Sequence, residues 1–276
     1  MPAFICTACG MQYAPTEAPP AECIICEEER QFVPPAGQGW TTLEKLAVGH
    51  SNAWRQYEPG IIGIGSQPRF AIGQRAILLR TPQGNVLWDC VSLIDDATVT
   101  LLKALGGVQA FGISHPHFYT TMVEWSRALG GVPIHVHAAD RQWIMRGDKA
   151  IKPWGGDTLE LLPGVTMIRG GGHFPGGAML HWSGGAGVGG VLCCSDIATI
   201  VEDRKFFSFM RSYPNFIPLS AREVEGIAAA LAPFAFDAVY GHYFDRVIPS
   251  DAKAILEKSV ARYLAAIAGT ARSEGE

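Results

Sequence analysis

Residues 112–121 read GISHPHFYTT, and the patterns on either side of this stretch decide the fold class. Just upstream, VQAFGIS reads as a strand. Just downstream, Thr121 followed three residues later by Glu124 resembles a capping box that opens a helix over MVEWSRALGG, stopped by its closing glycines. Further upstream, AILLRTPQGNVLWDCVSLI reads as two strands about a turn centred on Gln83, Gly84 and Asn85, since its apolar runs are bounded by Pro and Gly. DDATVTLLKALGG has helical spacing and stops at Gly106 and Gly107, and VPIHVHAA is a further strand. The order β, α, β, α predicts a layered α/β fold rather than a bundle or an all-β sandwich.

The second half continues the pattern. Ten glycines between Gly170 and Gly190 mark tight turns, and AMLHWSGGAGVGGVLCCSD reads as two strands with a Gly-rich connection. A helix is expected from Ala221 to Leu231, a strand through Ala238 to Tyr240, and a last helix in SDAKAILEKSVARYLAAIAG with Ser250 as its N-cap and Gly269 as its stop.

With 276 residues, 48% apolar and 17% charged, the chain has material for a sizeable core, which excludes a disordered or fibrous protein. Twenty-two basic against 26 acidic residues give a net charge of −4 with neither sign piled at one end, so nothing marks a nucleic-acid or anionic-membrane partner. The longest apolar run, Ile227 to Phe236, contains Pro233 and falls short of the roughly 18 residues a bilayer span needs. The N-terminus lacks a basic flank followed by an apolar segment, and the expectation is a cytoplasmic protein acting on a small molecule.

Residues 1–35 stand apart. They carry Cys6, Cys9, Cys23 and Cys26 as C-x2-C-x13-C-x2-C, with little periodic apolar pattern. Such a segment is too small to fold on its own core, and two tight cysteine knuckles suit one tetrahedral metal ion better than disulfides. Zinc is the first choice, and iron in a rubredoxin-like site suits the same donors. Because four thiolates leave no open coordination position, this zinc-ribbon-like knuckle is read as structural, preceding a larger domain over residues 36–276. Cys90, Cys193 and Cys194 read as buried small hydrophobes.

The histidines carry the chemistry. His115-Pro116-His117 at a strand end is expected to aim two imidazoles at one point. His173 in RGGGHFPGG, Asp196 in LCCSDIA and His242 in VYGHYFD each stand where a strand gives way to a loop, and this donor set suits zinc or iron. His50, His135, His137 and His181 read as packing residues. Gly185, Gly187 and Gly190 satisfy G-x-G-x-x-G, but strand-like residues follow where a helix would have to open, which rejects a dinucleotide site. Trp54, Trp125, Trp143, Trp154 and Trp182 are assigned to core packing, and Arg211, Tyr213 and Asn215 to the mouth of the site.

The ordered set resembles the metallo-β-lactamase superfamily over roughly residues 40 to 250. The resemblance implies a four-layered αββα sandwich with a metal site along one edge of the two sheets, and gives Asp89 the role of the family's early acidic residue supporting the ligand loop. The chain departs from the family's H-x-H-x-D-H motif: HPHFYT puts Tyr119 and Thr120 where an Asp and a His would hold a second metal. One central ion is therefore expected, bound by His115, His117 and His173. Asp196 is a fourth ligand or close neighbour, and His242 a weak ligand or acid–base group. The implied activity is metal-dependent hydrolysis, zinc-bound hydroxide attacking an ester, thioester, lactone or amide carbonyl, with Tyr119 or Asp196 orienting the nucleophile. His115, His173 and Asp196 also read as the triad of a mononuclear iron oxygenase like the persulfide dioxygenases, and a non-catalytic, metal-stabilised binding protein is the third reading.

Overall fold

The computed structural model describes residues 1–185, 187 and 189–271. Ala186 and Val188, in the Gly-rich connection, and the last five residues lie outside the described residues. Seven strands form the first sheet in sequence order: β1 (Ser51–Glu58), β2 (Ile61–Gln67), β3 (Ala76–Thr81), β4 (Gly84–Trp88), β5 (Ala110–Gly112), β6 (Ile134–His137) and β7 (Ile151–Trp154). The second sheet holds β8 (Thr158–Leu162), β9 (Val165–Arg169), β10 (Ala178–Trp182), β11 (Val191–Ser195), β12 (Ala238–Gly241) and β13 (Val247–Ile248), again in sequence order. The first sheet is antiparallel from β1 to β4 and parallel from β4 to β7, and the second is antiparallel except for the parallel pair β11 and β12.

Alternation of side chains sorts the apolar residues into three cores. Ile77, Leu79, Val86 and Trp88 of the first sheet meet Leu180, Trp182, Val191 and Cys193 of the second, filling the space between the sheets. Leu78 and Leu87 point the other way, into a layer with Leu102 of helix α1 (Asp96–Ala104) and Val123 and Trp125 of helix α2 (Met122–Ala128). Leu192 and Cys194 point outward onto Val224, Ile227 and Leu231 of α3 (Ala221–Leu231) and Leu256 of α4 (Ala252–Ile267). The result is the four-layered αββα arrangement. Cys90, Cys193 and Cys194 are buried, and none of the seven cysteines is in a disulfide.

The N-terminal segment is attached to the first of these outer layers. Ile5 and Cys6 pair with Thr41 and Trp40, and Met11 and Ile25 belong to the same core as Leu78 and Leu87. No helix among the described residues is long and apolar enough to cross a membrane.

Three local expectations are corrected. Gly84 and Asn85 already pair across the hairpin with Thr81 and Arg80, so the turn lies on Pro82 and Gln83. The Thr121–Glu124 capping box does not form: the Thr121 hydroxyl donates to the Val91 and Ser92 carbonyls at 3.2 and 3.0 Å, and Glu124 pairs with Arg146 at 2.6 Å. Ser250 is not the cap of the last helix. Asp251 takes that position in the left-handed region (φ 57°), its N–H held by Asp237 Oδ1 at 2.8 Å.

Candidate metal centre

The parallel strand pairs explain where the chemistry gathers. Strands β4 and β5 end side by side, Trp88 paired with Gly112, and the chain leaves them through Asp89 and through Ser114 and His115. In the facing sheet β11 and β12 end together, Ser195 paired with Gly241, and release Asp196 and His242. The two rims are joined by the Ala178 N–H donating to Ser114 O (2.8 Å) and by contact of the Ser114 and Ser195 hydroxyls (3.0 Å). His173 comes from the loop between β9 and β10.

His115 and His117 do not converge by strand alternation, as the sequence suggested. The strand ends at Gly112, His115 is extended, and Pro116–Phe118 form a 3-10 turn that swings the His117 ring to 5.2 Å from that of His115. One ligand atom each from His115, His117, His173 and Asp196 lies within 4.8 Å of the others. His117 Nδ1 is 3.2 Å from His173 Nε2, and His115 Nε2 is 3.1 Å from Asp196 Oδ1. These separations are close to the about 3.3 Å edge of a tetrahedron with ligands at about 2.0 Å from its centre.

The hydrogen-bond pattern leaves this cluster short of protons. His173 donates from Nδ1 to the Arg211 carbonyl at 2.8 Å, which fixes its tautomer and leaves Nε2 as a lone pair. His115 uses Nδ1 on the Ser114 hydroxyl at 2.9 Å. His115 Nε2, His117 Nε2 and Asp196 Oδ1 are buried without a hydrogen-bond partner. Burial pushes His173 down to about 3 and His242 to about 4, and burial and then the neighbouring His173 hold His115 and His117 well below the usual imidazole range. Burial, and then Asp89, pushes Asp196 up to about 8. Neutral imidazoles facing an acid with no local proton donor fit a divalent cation, whose charge reverses the logic at Asp196.

Asp89 supports this centre from outside. Its backbone is left-handed (φ 58°), Oδ1 accepts the Ser114 N–H at 2.8 Å, and Oδ2 accepts the Ser195 hydroxyl at 3.1 Å. One carboxylate thus fixes the residues preceding His115 and Asp196. Nothing in the sequence marks Ser114 or Ser195 beyond their position beside a ligand.

His242 lines the same cavity but lies outside the four-donor group, its Nδ1 on the Ser195 carbonyl at 3.1 Å. Tyr119 is 1% exposed, sits in the core layer shared with Cys6 and Cys9, and is not among the described residues lining the cavity. Thr120 turns its hydroxyl to Cys90 Sγ at 2.8 Å. Tyr213 reaches the cavity and donates to the Asp196 carbonyl at 2.7 Å. Arg211 and Asn215 clasp the N-terminal segment instead: Arg211 pairs with Glu29, while Asn215 and Ser212 each donate to the Glu29 carbonyl at 2.7 Å. The cavity, about 670 Å³, is lined by His117, His173, Asp196 and His242 on its floor and by Arg30, Phe32, Ile200, Met210, Phe216 and Tyr243 around them.

The second donor group is the knuckle. Cys6, Cys9, Cys23 and Cys26 are buried together, with Sγ–Sγ separations of 3.6 Å for Cys6–Cys26 and for Cys9–Cys23. Tetrahedral sulfurs about 2.3 Å from a metal stand about 3.8 Å apart, so the group fits one ion. Tyr13 and Gln38 donate to Cys23 and Cys6 at 3.4 and 3.1 Å, as thiolates require. His50, His137 and His181 make ordinary backbone hydrogen bonds.

The layers are those of the metallo-β-lactamase fold. The structure matches FIM-1 from Pseudomonas aeruginosa, a metallo-β-lactamase in its mono-zinc form, with a TM-score of 0.59 and 10% identity over 80% of this chain and 97% of that one. It matches VMB-1 with a TM-score of 0.58 and 11% identity over 79% of this chain and 98% of that one. The DIM-1 metallo-β-lactamase also gives 0.58, with 12% identity over 79% and 98%. No family model matches the chain. Within that fold, the chain belongs to the family of YmaE from Bacillus subtilis (strain 168), an uncharacterized protein to which it is 44% identical over 269 residues, 97% of each.

Proposed function

We propose that the protein is a metal-dependent hydrolase acting on an ester, thioester, lactone or amide carbonyl of a small molecule, with one zinc ion at the histidine site and another in the knuckle. The observation that carries this reading is the group of buried ligand atoms from His115, His117, His173 and Asp196, all within 4.8 Å of one another beside an open cavity, with His115 Nε2 and Asp196 Oδ1 left without a hydrogen-bond partner.

A zinc ion there supplies Lewis acidity and a water of lowered pKa. His115, His117 and His173 hold the ion, and Asp196 completes the set. His242, anchored through Nδ1, keeps Nε2 as a lone pair that would take a proton from the attacking water and pass it to the leaving group. Asp89 keeps the two ligand-bearing rims in register, and the rings of Phe174 against His115, His117 and His173 exclude water from one side of the donors. A single ion is supported by Tyr119 and Thr120, which stand at the positions of the second metal's ligands in the family motif and are engaged elsewhere. That placement also leaves Tyr119 without a part in the reaction.

The test is turnover of a panel of aryl esters, thioesters, lactones and amides by the zinc-loaded full chain. The expected result is hydrolysis of at least one class, lost in His115→Ala while the knuckle ion is retained. No turnover across the panel, unchanged turnover in His115→Ala, or retention of iron with consumption of dioxygen would each overturn the reading.

A further inference from the structure

Among the groups at the cavity, Arg30 is a buried cation with unpartnered N–H groups. It lies four residues beyond Cys26, on the segment that leaves the knuckle, and that segment is strapped across the site by Arg211, Ser212 and Asn215. The guanidinium is drawn inward, its Cζ 4.2 Å from the centre of the Phe174 ring, and Phe174 packs on His117 and His173 at 4.9 and 5.1 Å. The residue is 9% exposed, and its one ion pair among the described residues is Nη2 to Glu28 Oε1 at 3.2 Å. Nε and Nη1 are buried with no hydrogen-bond partner.

Two orphaned N–H donors on a buried cation are costly, and an oxyanion is the acceptor that satisfies them best. The other cations lining the cavity are differently placed. Arg246 is paired with Glu202 and Asp245, and Arg69 is exposed, with its guanidinium on the Ile72 carbonyl. Stacking on Phe174 fixes the Arg30 plane beside the imidazoles, so an anion it holds lies next to the metal donors.

The structure assigns Arg30 as the anion-binding group of the cavity: the molecule bound there carries an oxyanion, a carboxylate or a phosphate, which the unpartnered N–H groups of Arg30 receive while the neighbouring part of the molecule faces His117, His173 and Asp196. This names the substrate class of the hydrolase proposed above and rests on that reading for the reaction, but not for the binding. It also gives the knuckle a part in the site, since the knuckle fixes where Arg30 begins.

The test uses ligands that are not hydrolysed. Benzoate, phenyl phosphate and the neutral benzamide are titrated calorimetrically into the metal-loaded full chain, its Arg30→Met and Arg30→Gln variants, and Arg30→Lys. The expected result is that one anion binds at least about tenfold tighter than benzamide, that Arg30→Met and Arg30→Gln abolish the difference, and that Arg30→Lys keeps part of it. Whether benzoate or phenyl phosphate prevails separates a carboxylate from a phosphate substrate. In the unaltered chain, benzoate or phenyl phosphate should slow phenylglyoxal labelling of Arg30 and benzamide should not, a readout independent of how the variants fold. Equal binding of the three ligands, an anion preference unchanged by removal of Arg30, or labelling indifferent to the anions would overturn the assignment. Anion preference without acyl hydrolysis sinks the hydrolase and leaves the anion site standing; hydrolysis without the preference does the reverse.

Discussion

At the scale of single residues, the centre depends on side chains that never touch the metal donors. Asp89 joins the Ser114 amide and the Ser195 hydroxyl, and so sets where His115 and Asp196 begin. Asp89→Ala removes both acceptors and puts alanine at a left-handed position; it should weaken zinc binding at the histidine site by about 10- to 100-fold in chelator competition. Asp89→Asn, which tolerates that backbone and keeps one acceptor, should lose less. Equal affinity in the two variants contradicts this role. Asp140 makes a different prediction. Both its oxygens accept the Gly176 N–H at 3.0 Å, yet burial raises it from 3.8 to about 6. Its folded value lies above its unfolded value, so its stabilising share is complete below about pH 4 and lost as pH rises through about 6. Asp140→Asn keeps an acceptor without the charge, and at pH 8 should be more stable than the parent by about 1–3 kcal/mol, the gap closing by pH 4. A melting difference independent of pH contradicts it.

At the scale of elements, the helices α1 and α3 and the strands around GISHPHFYTT were legible because periodicity and end signals coincide there. Asp95 caps α1 as a short polar residue should, and Ser220 with Glu223 closes a true capping box on α3. Where the local signal failed, a tertiary partner had taken the side chain: Thr121 went to the carbonyls after β4, and Glu124 to Arg146. The knuckle shows the same coupling. Gly10 is left-handed (φ 84°), and a Cβ there would lie 2.4 Å from Ser92 Oγ, whose hydroxyl donates to the Gly10 carbonyl at 3.0 Å. Gly37 is also left-handed (φ 90°) but faces open space. Gly10→Ala should therefore cost more than the about 1–3 kcal/mol of backbone strain that Gly37→Ala incurs, and loosen the N-terminal metal, as read by denaturant melts and chelator release. Equal costs contradict the close approach.

At the scale of the whole molecule, two sheets ending in parallel strands bring ligands from distant parts of the chain to one rim. Arg75, buried at the start of β3, ties the sheets there, donating to the Gly241 carbonyl at 3.0 and 2.8 Å beneath His242. The order of His115, His117, His173 and Asp196 was readable because each follows a strand. Their convergence through a 3-10 turn was not, nor was Arg30, since nothing in the charged run EEER marks its last residue as a buried cation. Ser114, Ser195 and Arg75 escaped for the same reason: their partners are remote in sequence. The central claim is that this rim binds a single metal ion, apart from the one held by the knuckle. Anomalous scattering from crystals at the zinc and iron edges tests it directly. Two zinc peaks per chain are expected, one among Cys6, Cys9, Cys23 and Cys26 and one among His115, His117, His173 and Asp196. A pair of peaks at the histidines, or none there in protein purified with zinc, would contradict it.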